Sequence, residues 1–445
     1  PPVGWSSYSS PNSTITIPTQ SWHSNTNGNP VNCASVLYDN SIDLHDEWLT
    51  TPAIDISSYG AASDLLLEFE FNTSQYWHVN PYDNADITLE VSIDGGATFT
   101  NIIFQEDSLI LLQNAGLDLS WETYVWTTAS IDISALSSET NVVFGWHYYG
   151  IDGAQCNIDN ITIREREQHN VENLAAWVYG ESTYFAEYGR TPISQMDANW
   201  VIGSQVANDG VSDQTNVTLN ADFGSFTASS SIAVLEADSA YYVESLEPLT
   251  LAAGTYQGTF TVSSDSDQVG GANFGDNVLE RNFEITNDVY SLDGIGNHPS
   301  GLENLGSYGS YSWPLDAADG LVCATMYPFK QDEVVNSVTA FITSNTVENS
   351  ELLLYLIDST SFTSGLFGNA IHTSELYTVN ATDVANGYVQ IPVVNQGASG
   401  WENVTLTAGN WYAGVELFSG GSTFDIGIID DATVGQPAWS GAIWY

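Results

Sequence analysis

Between Asp86 and Asp94 the residues Ile87, Leu89, Val91 and Ile93 alternate with Thr88, Glu90 and Ser92. A two-residue period of this kind describes a strand with one buried face and one wet face, and it constrains this chain more than any other feature. Asp94-Gly95-Gly96 follows at once and supplies the positive φ angles of a tight turn. The period returns in Val217, Leu219, Ala221 and Phe223, in Tyr256, Gly258, Phe260 and Val262, and in Trp411, Ala413, Val415 and Leu417, each beside Gly, Asn, Asp or Ser. Only Ile133 to Ser138 reads as a short helical turn. The expectation is an all-β chain of tandem β-sandwiches.

Charge limits what such a chain contacts. Fifty-five acidic residues face five basic ones, Arg164, Arg166, Arg190, Arg281 and Lys330, for a net charge of −50. Cations from solution must neutralise that surface, and self-repulsion loosens it at low ionic strength. At roughly 0.5 M salt the Debye length is about 4 to 5 Å and most of the repulsion is screened, which suits a salty exterior. Nucleic acid and anionic lipid are held mainly by lysine and arginine, so neither is a fitting partner. No stretch approaches the roughly 18 to 20 apolar residues of a membrane span, so direct membrane insertion is not expected.

With 445 residues, 43% hydrophobic and 12% aromatic, the chain has ample core for several domains. The polar run Arg164 to Asn170 reads as a connector, and the glycine-rich stretch Ser291 to Gly309 as a second. The expected domains are therefore 1–167, 168–290 and 291–445. The middle block has the size and strand spacing of an immunoglobulin-like sandwich, and the longer outer blocks suit jelly rolls. A start at Pro1, without initiator methionine or signal segment, is the expected appearance of a processed product or a fragment of a precursor.

Motifs for chemistry are sparse. The sequence has no His-Glu-x-x-His, no Gly-x-Ser-x-Gly, no phosphate-binding glycine loop and no cysteine–histidine metal spacing. His45 beside Asp46, and His147 beside Tyr148 and Tyr149, sit where a hydrogen-bonded structural histidine is the commoner outcome. Cys33 and Cys156 fall in one expected domain and either pair or serve as small buried hydrophobes. The runs Gln75-Tyr76-Trp77-His78 and Trp146-His147-Tyr148-Tyr149 place large rings on both faces of a strand. Tyr76, Trp77, Trp146, Tyr148 and Tyr149 are thus candidates for stacking on a sugar or for a subunit interface, against the usual fate of core packing.

Four segments occur in order: Asp46-Glu47-Trp48-Leu49-Thr50-Thr51-Pro52-Ala53-Ile54-Asp55-Ile56, then Leu89 to Thr100, Trp121 through Ser134, and Ile158-Asp159-Asn160-Ile161-Thr162-Ile163. Together they resemble the cleaved-adhesin or choice-of-anchor J jelly roll, a relative of MAM-type domains in secreted surface proteins of Bacteroidota. The segments Asn216 to Leu219 and Leu251 to Tyr256 are similar to CARDB-type immunoglobulin-like spacers of the same proteins. The resemblance implies export by the type IX pathway, and the Asp-Ser-x triplets at Ser108, Ser239 and Ser359 are similar to O-glycosylation sites of that phylum. It also implies structural calcium, for which Asp46, Glu47 and Asp159 are the residues carried over, although no Asp-rich loop stands between Trp5 and Trp22.

The expected function is that of a non-enzymatic extracellular adhesive or structural segment of a larger surface protein or appendage. Its partners would be cell-surface glycans or proteins, or copies of itself joined through divalent cations. The alternative is an accessory or carbohydrate-binding region of a secreted hydrolase whose catalytic domain lies elsewhere in the precursor.

Overall fold

A computed structural model describes residues 4–444 apart from 30–31, 61–63, 108, 111–123, 272–273, 311–318, 398–399 and 422. Ser108 and the start of the third motif at Trp121 therefore lie outside the described residues. The chain is all-β, built of tandem sandwiches, and divides into two compact units, 1–168 and 169–445.

Among its described residues the first unit contains the strands β1 (Ser6–Ser9), β2 (His23–Asn25), β3 (Cys33–Val36), β4 (His45–Thr50), β5 (Leu65–Thr73), β6 (Ala85–Ser92), β7 (Asn101–Gln105), β8 (Val125–Asp132), β9 (Val143–Gly150) and β10 (Cys156–Glu165). They form two antiparallel sheets ordered β1-β4-β9-β6-β7 and β2-β3-β10-β5-β8. Apart from the β6–β7 pair, successive strands from β3 to β10 cross between the sheets in the manner of a jelly roll, with β1 and β2 added at the edges. Alternation decides which side chains meet between the sheets. Ile87, Leu89 and Val91 of β6 share one core with Leu65, Leu67, Phe69 and Phe71 of β5, and all are buried. Phe144, Trp146 and Tyr148 of β9 join them. The Trp146 ring meets Phe69 edge-on at 5.4 Å and stacks on Trp5 at 5.7 Å. Gly95 and Gly96 take φ angles of 75° and 89°, as the turn after β6 requires.

Two expectations for this unit meet different fates. Gln75–His78 is a single helical turn and not a strand. The Ser74 carbonyl accepts the amides of both Trp77 and His78, ending β5 at Thr73 and rolling the His78 side chain into the interior. Of the two alternatives for Cys33 and Cys156, the unpaired one holds: both are free, buried thiols, as is Cys323. Burial pushes the Cys156 thiol well above its usual range.

The second unit contains two larger cores and a third, smaller cluster of Val322, Ala324, Met326, Ile357, Phe362 and Tyr412. The first lies between the sheets β11-β13-β16 and β12-β18-β17-β14-β15. These strands are β11 (Val171–Gly180), β12 (Arg190–Pro192), β13 (Asn199–Asn208), β14 (Gln214–Asp222), β15 (Thr227–Leu235), β16 (Ala240–Pro248), β17 (Gly254–Ser263) and β18 (Val278–Thr286). Val217, Leu219 and Ala221 of β14 and Phe260 and Val262 of β17 point inward, and Trp200 stacks on Phe283 at 5.3 Å. The second core belongs to a sandwich whose largest sheet is centred on Glu351–Asp358, Gly409–Phe418 and Leu321–Phe329.

These two sandwiches are joined by polar and aromatic contacts. Tyr188, Tyr290 and Tyr327 cluster with ring centroids 4.9 to 6.0 Å apart, and the Tyr188 hydroxyl donates to the Met326 carbonyl at 2.7 Å. Lys330 Nζ lies 2.6 Å from Asp197 Oδ2, and the Lys330 amide donates to Gln195 Oε1. Gln436 accepts from the Glu187 amide and donates to the Glu187 carbonyl. Burial pushes the Glu187 carboxyl up to about 7, against the pull of Arg281 and of the Val178 amide that it accepts.

An acid whose pKa is higher folded than unfolded stabilises the fold at low pH. That contribution is lost as pH rises from the ordinary glutamate value of about 4.3 to about 7. Glu187→Gln keeps an acceptor for the Val178 amide and removes the charge. It is expected to raise the stability of the second unit at pH 8 by at most about 4 kcal/mol, at about 1.4 kcal/mol for each tenfold change in proton affinity, and to change it little near pH 4. Paired thermal melts at the two pH values check this, and an equal effect at both would refute it.

Candidate functional site

The outer face of the β1-β4-β9-β6 sheet collects several of the residues expected to carry function. Strand register sets Tyr8 opposite Trp48, Trp48 opposite His147, and His147 opposite Thr88. Three rings consequently lie in one row across three strands. Trp48 stacks on His147 at 4.2 Å and 11°, and on Tyr8 at 6.2 Å and 4°, while Phe99 tilts onto it at 5.0 Å. Gly145 makes room for this packing, since a Cβ there would stand 2.9 Å from Phe99 and 3.1 Å from Trp48. Both nitrogens of His147 face carboxylates, Nε2 at 2.9 Å from Asp46 Oδ1 and Nδ1 at 3.4 Å from Glu90 Oε1. A ring flanked in this way donates twice when it is an imidazolium. Tyr149, about half exposed, stands two residues along β9 from His147, opposite Asp46, and contacts His147 edge-on.

The inner face of the same strands holds a buried polar group that sequence reasoning missed. His78 and Glu106 are fully buried, with Nδ1 at 3.4 Å from Oε1. Glu106 Oε1 also accepts the Ile87 amide at 2.7 Å, and His78 Nε2 lies 3.3 Å from the Ala154 carbonyl. Burial drives the Glu106 carboxyl up and its contact with His78 opposes this. His45, stacked edge-on against Tyr148, has both ring nitrogens buried without partners, and burial lowers its pKa. Glu106 directly follows β7, so strand parity was the signal that could have flagged it as inward-facing.

The expected calcium ligands are not brought together. Asp46 and Glu47 are neighbours on β4 and face opposite sides of it, and Asp159 lies on β10 in the other sheet. Glu47 is fully buried and accepts from the Ser9 and Ser13 hydroxyls. Asp46 accepts from Ser10 and contacts His147. Asp159 accepts from the Asn29 and Asn160 amides, beside Glu70. The group of three carboxylates that does converge among the described residues is Asp83, Asp86 and Asp107, with ligand oxygens within 4.8 Å of one another. The β6–β7 ladder ends at Thr88 opposite Gln105, and Asp107 stands two residues further on, in the helical segment that follows β7. Asp107 Oδ1 is buried without a partner, and burial together with Asp86 and Asp83 raises its pKa.

The candidate aromatics also divide. Trp146 and Tyr148 are core residues at 0% and 1% exposure, since the inward parity of β9 falls on even numbers; the Tyr148 hydroxyl is satisfied by the Ala154 carbonyl at 2.8 Å. Of that run, His147 and Tyr149 face outward. Tyr76 and Trp77 are half-buried and pack with each other and with Tyr82 at centroid distances of 5.0, 5.1 and 4.8 Å.

The fold thus defines an all-β protein of tandem sandwiches. No family model matches the chain, and no curated protein matches it. Among solved structures it is similar to the K1 cleaved adhesin domain of Lys-gingipain from Porphyromonas gingivalis W83, at 16% identity, a TM-score of 0.28, and coverage of 37% of this chain and 91% of that one. The K3 cleaved adhesin domain of the same protein matches at 17% identity and a TM-score of 0.26, over 36% of this chain and 92% of that one. A calcium-binding mutant of Bacteroides uniformis β-glucuronidase 2 matches at 10% identity and a TM-score of 0.28, over 62% of this chain and 32% of that one.

Substitution separates the core aromatics from the surface ones. Trp146→Ala is expected to destabilise the first unit by about 3 to 5 kcal/mol through transfer and cavity costs. Tyr149→Ala, on the wet face, is expected to stay within about 0.5 kcal/mol. Denaturant unfolding followed by tryptophan fluorescence distinguishes the two, and a large loss in Tyr149→Ala would contradict the assignment of faces.

Proposed function

We propose that this chain is a non-enzymatic extracellular adhesive or structural segment of a larger bacterial surface protein or appendage, whose sandwiches space and present binding faces. The observation that carries this reading is where the five cations are used. Arg164 makes a bidentate pair with Glu68 at 2.8 Å, and Arg166 helps the Ser134 hydroxyl and amide hold the Asp132 carboxyl down. Arg190 contacts Glu284, Asp293 and the Ile295 carbonyl. Arg281 donates to the Ala176 carbonyl, and Lys330 pairs with Asp197. Every cation is engaged by the chain's own groups. Anionic polymers and anionic lipid surfaces accordingly find no basic patch among the described residues. What such a surface offers to neutral partners is aromatic edges and hydroxyls, and to other copies, carboxylates.

Calcium belongs to the same proposal. It takes six to eight hard oxygen ligands. Asp83, Asp86 and Asp107 supply carboxylates at a point where one oxygen is buried without a partner, so the residues fit such an ion. Bound there, it would neutralise three carboxylates that repel one another and fix the start of β6 against the segment after β7.

Thermal unfolding and sedimentation at fixed ionic strength, with calcium and then with chelator, test both parts. At about a hundredfold excess of calcium over Kd the first unit is expected to gain about 2.7 kcal/mol, by mass action. The double variant Asp86→Asn, Asp107→Asn is expected to lose that gain, and retention of the gain would move the ion elsewhere. Adhesion of the immobilised chain to glycans, proteins or further copies of itself, in high salt, is the functional readout. A chain that binds none of these, or that hydrolyses a polymer, would overturn the adhesive reading.

A further inference from the structure

Within the second unit an open groove of about 420 Å³ runs between the loop joining β11 to β12 and one face of the largest sheet of the last sandwich. Its volume lies in the range typical of small-ligand sites. Met326, Pro328 and the Tyr412 ring form apolar lining. Trp439 and Tyr184 add two further rings, and Thr360 and Asn410 bring a hydroxyl and an amide. None of the described lining residues carries a charge, in a chain where acids outnumber cations eleven to one, 55 to 5, and charged side chains make up 13% of the residues.

Tyr184 is the least ordinary of these residues. It ends the helical turn Glu181–Thr183 in the left-handed region, with φ 48° and ψ 57°, and Phe185 follows with φ 76°. Two consecutive aromatic residues at positive φ are strained, and such strain persists only where the surroundings impose it. Here Thr183 Oγ1 lies 2.8 Å from both the Gly180 and Ala186 carbonyls, and the Phe185 ring packs against Tyr179 at 5.4 Å. The outcome is a Tyr184 side chain 70% exposed at the mouth of the groove. A relaxed loop would use glycine or asparagine at this position. On the opposite wall Tyr412 is fixed by stacking on Phe362 at 4.1 Å and by donating to the Trp439 carbonyl at 2.6 Å.

We propose that this groove binds a neutral oligosaccharide, with a pyranose face on Tyr184 and sugar hydroxyls on the neutral side chains around it. The proposal rests on the adhesive reading and names its ligand. The C–H face of a pyranose is apolar and weakly positive, which suits the negative face of an aromatic ring. Hydroxyl and amide groups both donate and accept, as sugar hydroxyls do. An uncharged lining desolvates no ion when a polyol enters, whereas an anionic ligand would meet a strongly negative protein without a cation to pair with.

The test is titration of the whole chain, in high salt, with neutral oligosaccharides derived from cellulose, laminarin, mannan and xylan, and with an oligomannuronate of equal length. At least one neutral sugar is expected to bind, and the uronate not. Tyr184→Gly removes the ring while allowing the left-handed backbone, so it should weaken binding at least about tenfold, roughly 1.4 kcal/mol, without lowering the melting temperature. Asn410→Ala, on the exposed rim, should weaken it too. Sugar binding indifferent to both variants would leave the adhesive reading standing and remove this groove from it. Binding of the uronate as well as the neutral sugars, or of none of the panel, overturns the proposal. So does self-association in the absence of sugar that Tyr184→Gly abolishes, because the occupant would then be a second copy.

Discussion

With fifty-five carboxylates and five cations, this protein cannot neutralise its acids by ion pairing, and much of its local structure follows from the substitute. Hydroxyls and backbone amides take the place of lysine and arginine. Asp94 is held down to about 2 by the hydroxyls of Ser92 and Thr98 and by the amides of the turn it closes. Asp358 is lowered by Ser361 in the same way, and Asp132 by Ser134. Buried Glu47 rests on two serines, Ser9 and Ser13. Such contacts are charge-assisted hydrogen bonds made within a few residues or between neighbouring segments, so they tie acids to turns and strand ends. The few cations are kept for longer-range ties, as when Arg190 gathers Glu284, Asp293 and Ile295, or Lys330 reaches Asp197.

The two units use their interiors differently. The jelly roll of the first unit buries ionisable groups, His45, Glu47, His78 and Glu106, among its aromatics. Each must find a partner or stay neutral, because an unpaired charge in that interior is strongly destabilising. His78 and Glu106 therefore make a pair whose value lies in fixing the helical turn after β5 against β6, more than in net stability. The second unit buries fewer such groups among its described residues, Asp267, His372 and Asp383, and concentrates polar contacts where its two sandwiches meet, with Tyr188, Tyr290 and Tyr327 covering the contact and Gln195 and Gln436 hydrogen-bonding across it.

The period-two segments were legible because alternation is a local property. The strands at Ala85–Ser92, Gln214–Asp222, Gly254–Ser263 and Gly409–Phe418 contain nearly all of the alternating residues, with Ile93 and Phe223 falling just past the ends of theirs. Side-chain destinations were less legible. In Trp146-His147-Tyr148-Tyr149 the alternation is plain, but four large rings give no clue to parity; the core chose Trp146 and Tyr148 because Phe144 precedes them in register. Tyr76 and Trp77 left the strand pattern because burying His78 beside Glu106 required a turn of helix. Asp46, Glu47 and Asp159 stand on different faces or sheets, whereas Asp107 meets Asp83 and Asp86 from the helical segment that follows β7, a tertiary placement that composition does not encode.

By itself the sequence determined the all-β class, the alternating strands with their glycine turns, and a surface without positive patches, since these depend on side-chain order and charge count alone. Only the tertiary structure decided which rings are buried, which carboxylates converge, and that an uncharged groove opens beside a strained Tyr184. Those outcomes depend on register between strands distant in the chain, and register is settled by packing of the whole core, where a shift of one residue would exchange every inward side chain for its outward neighbour.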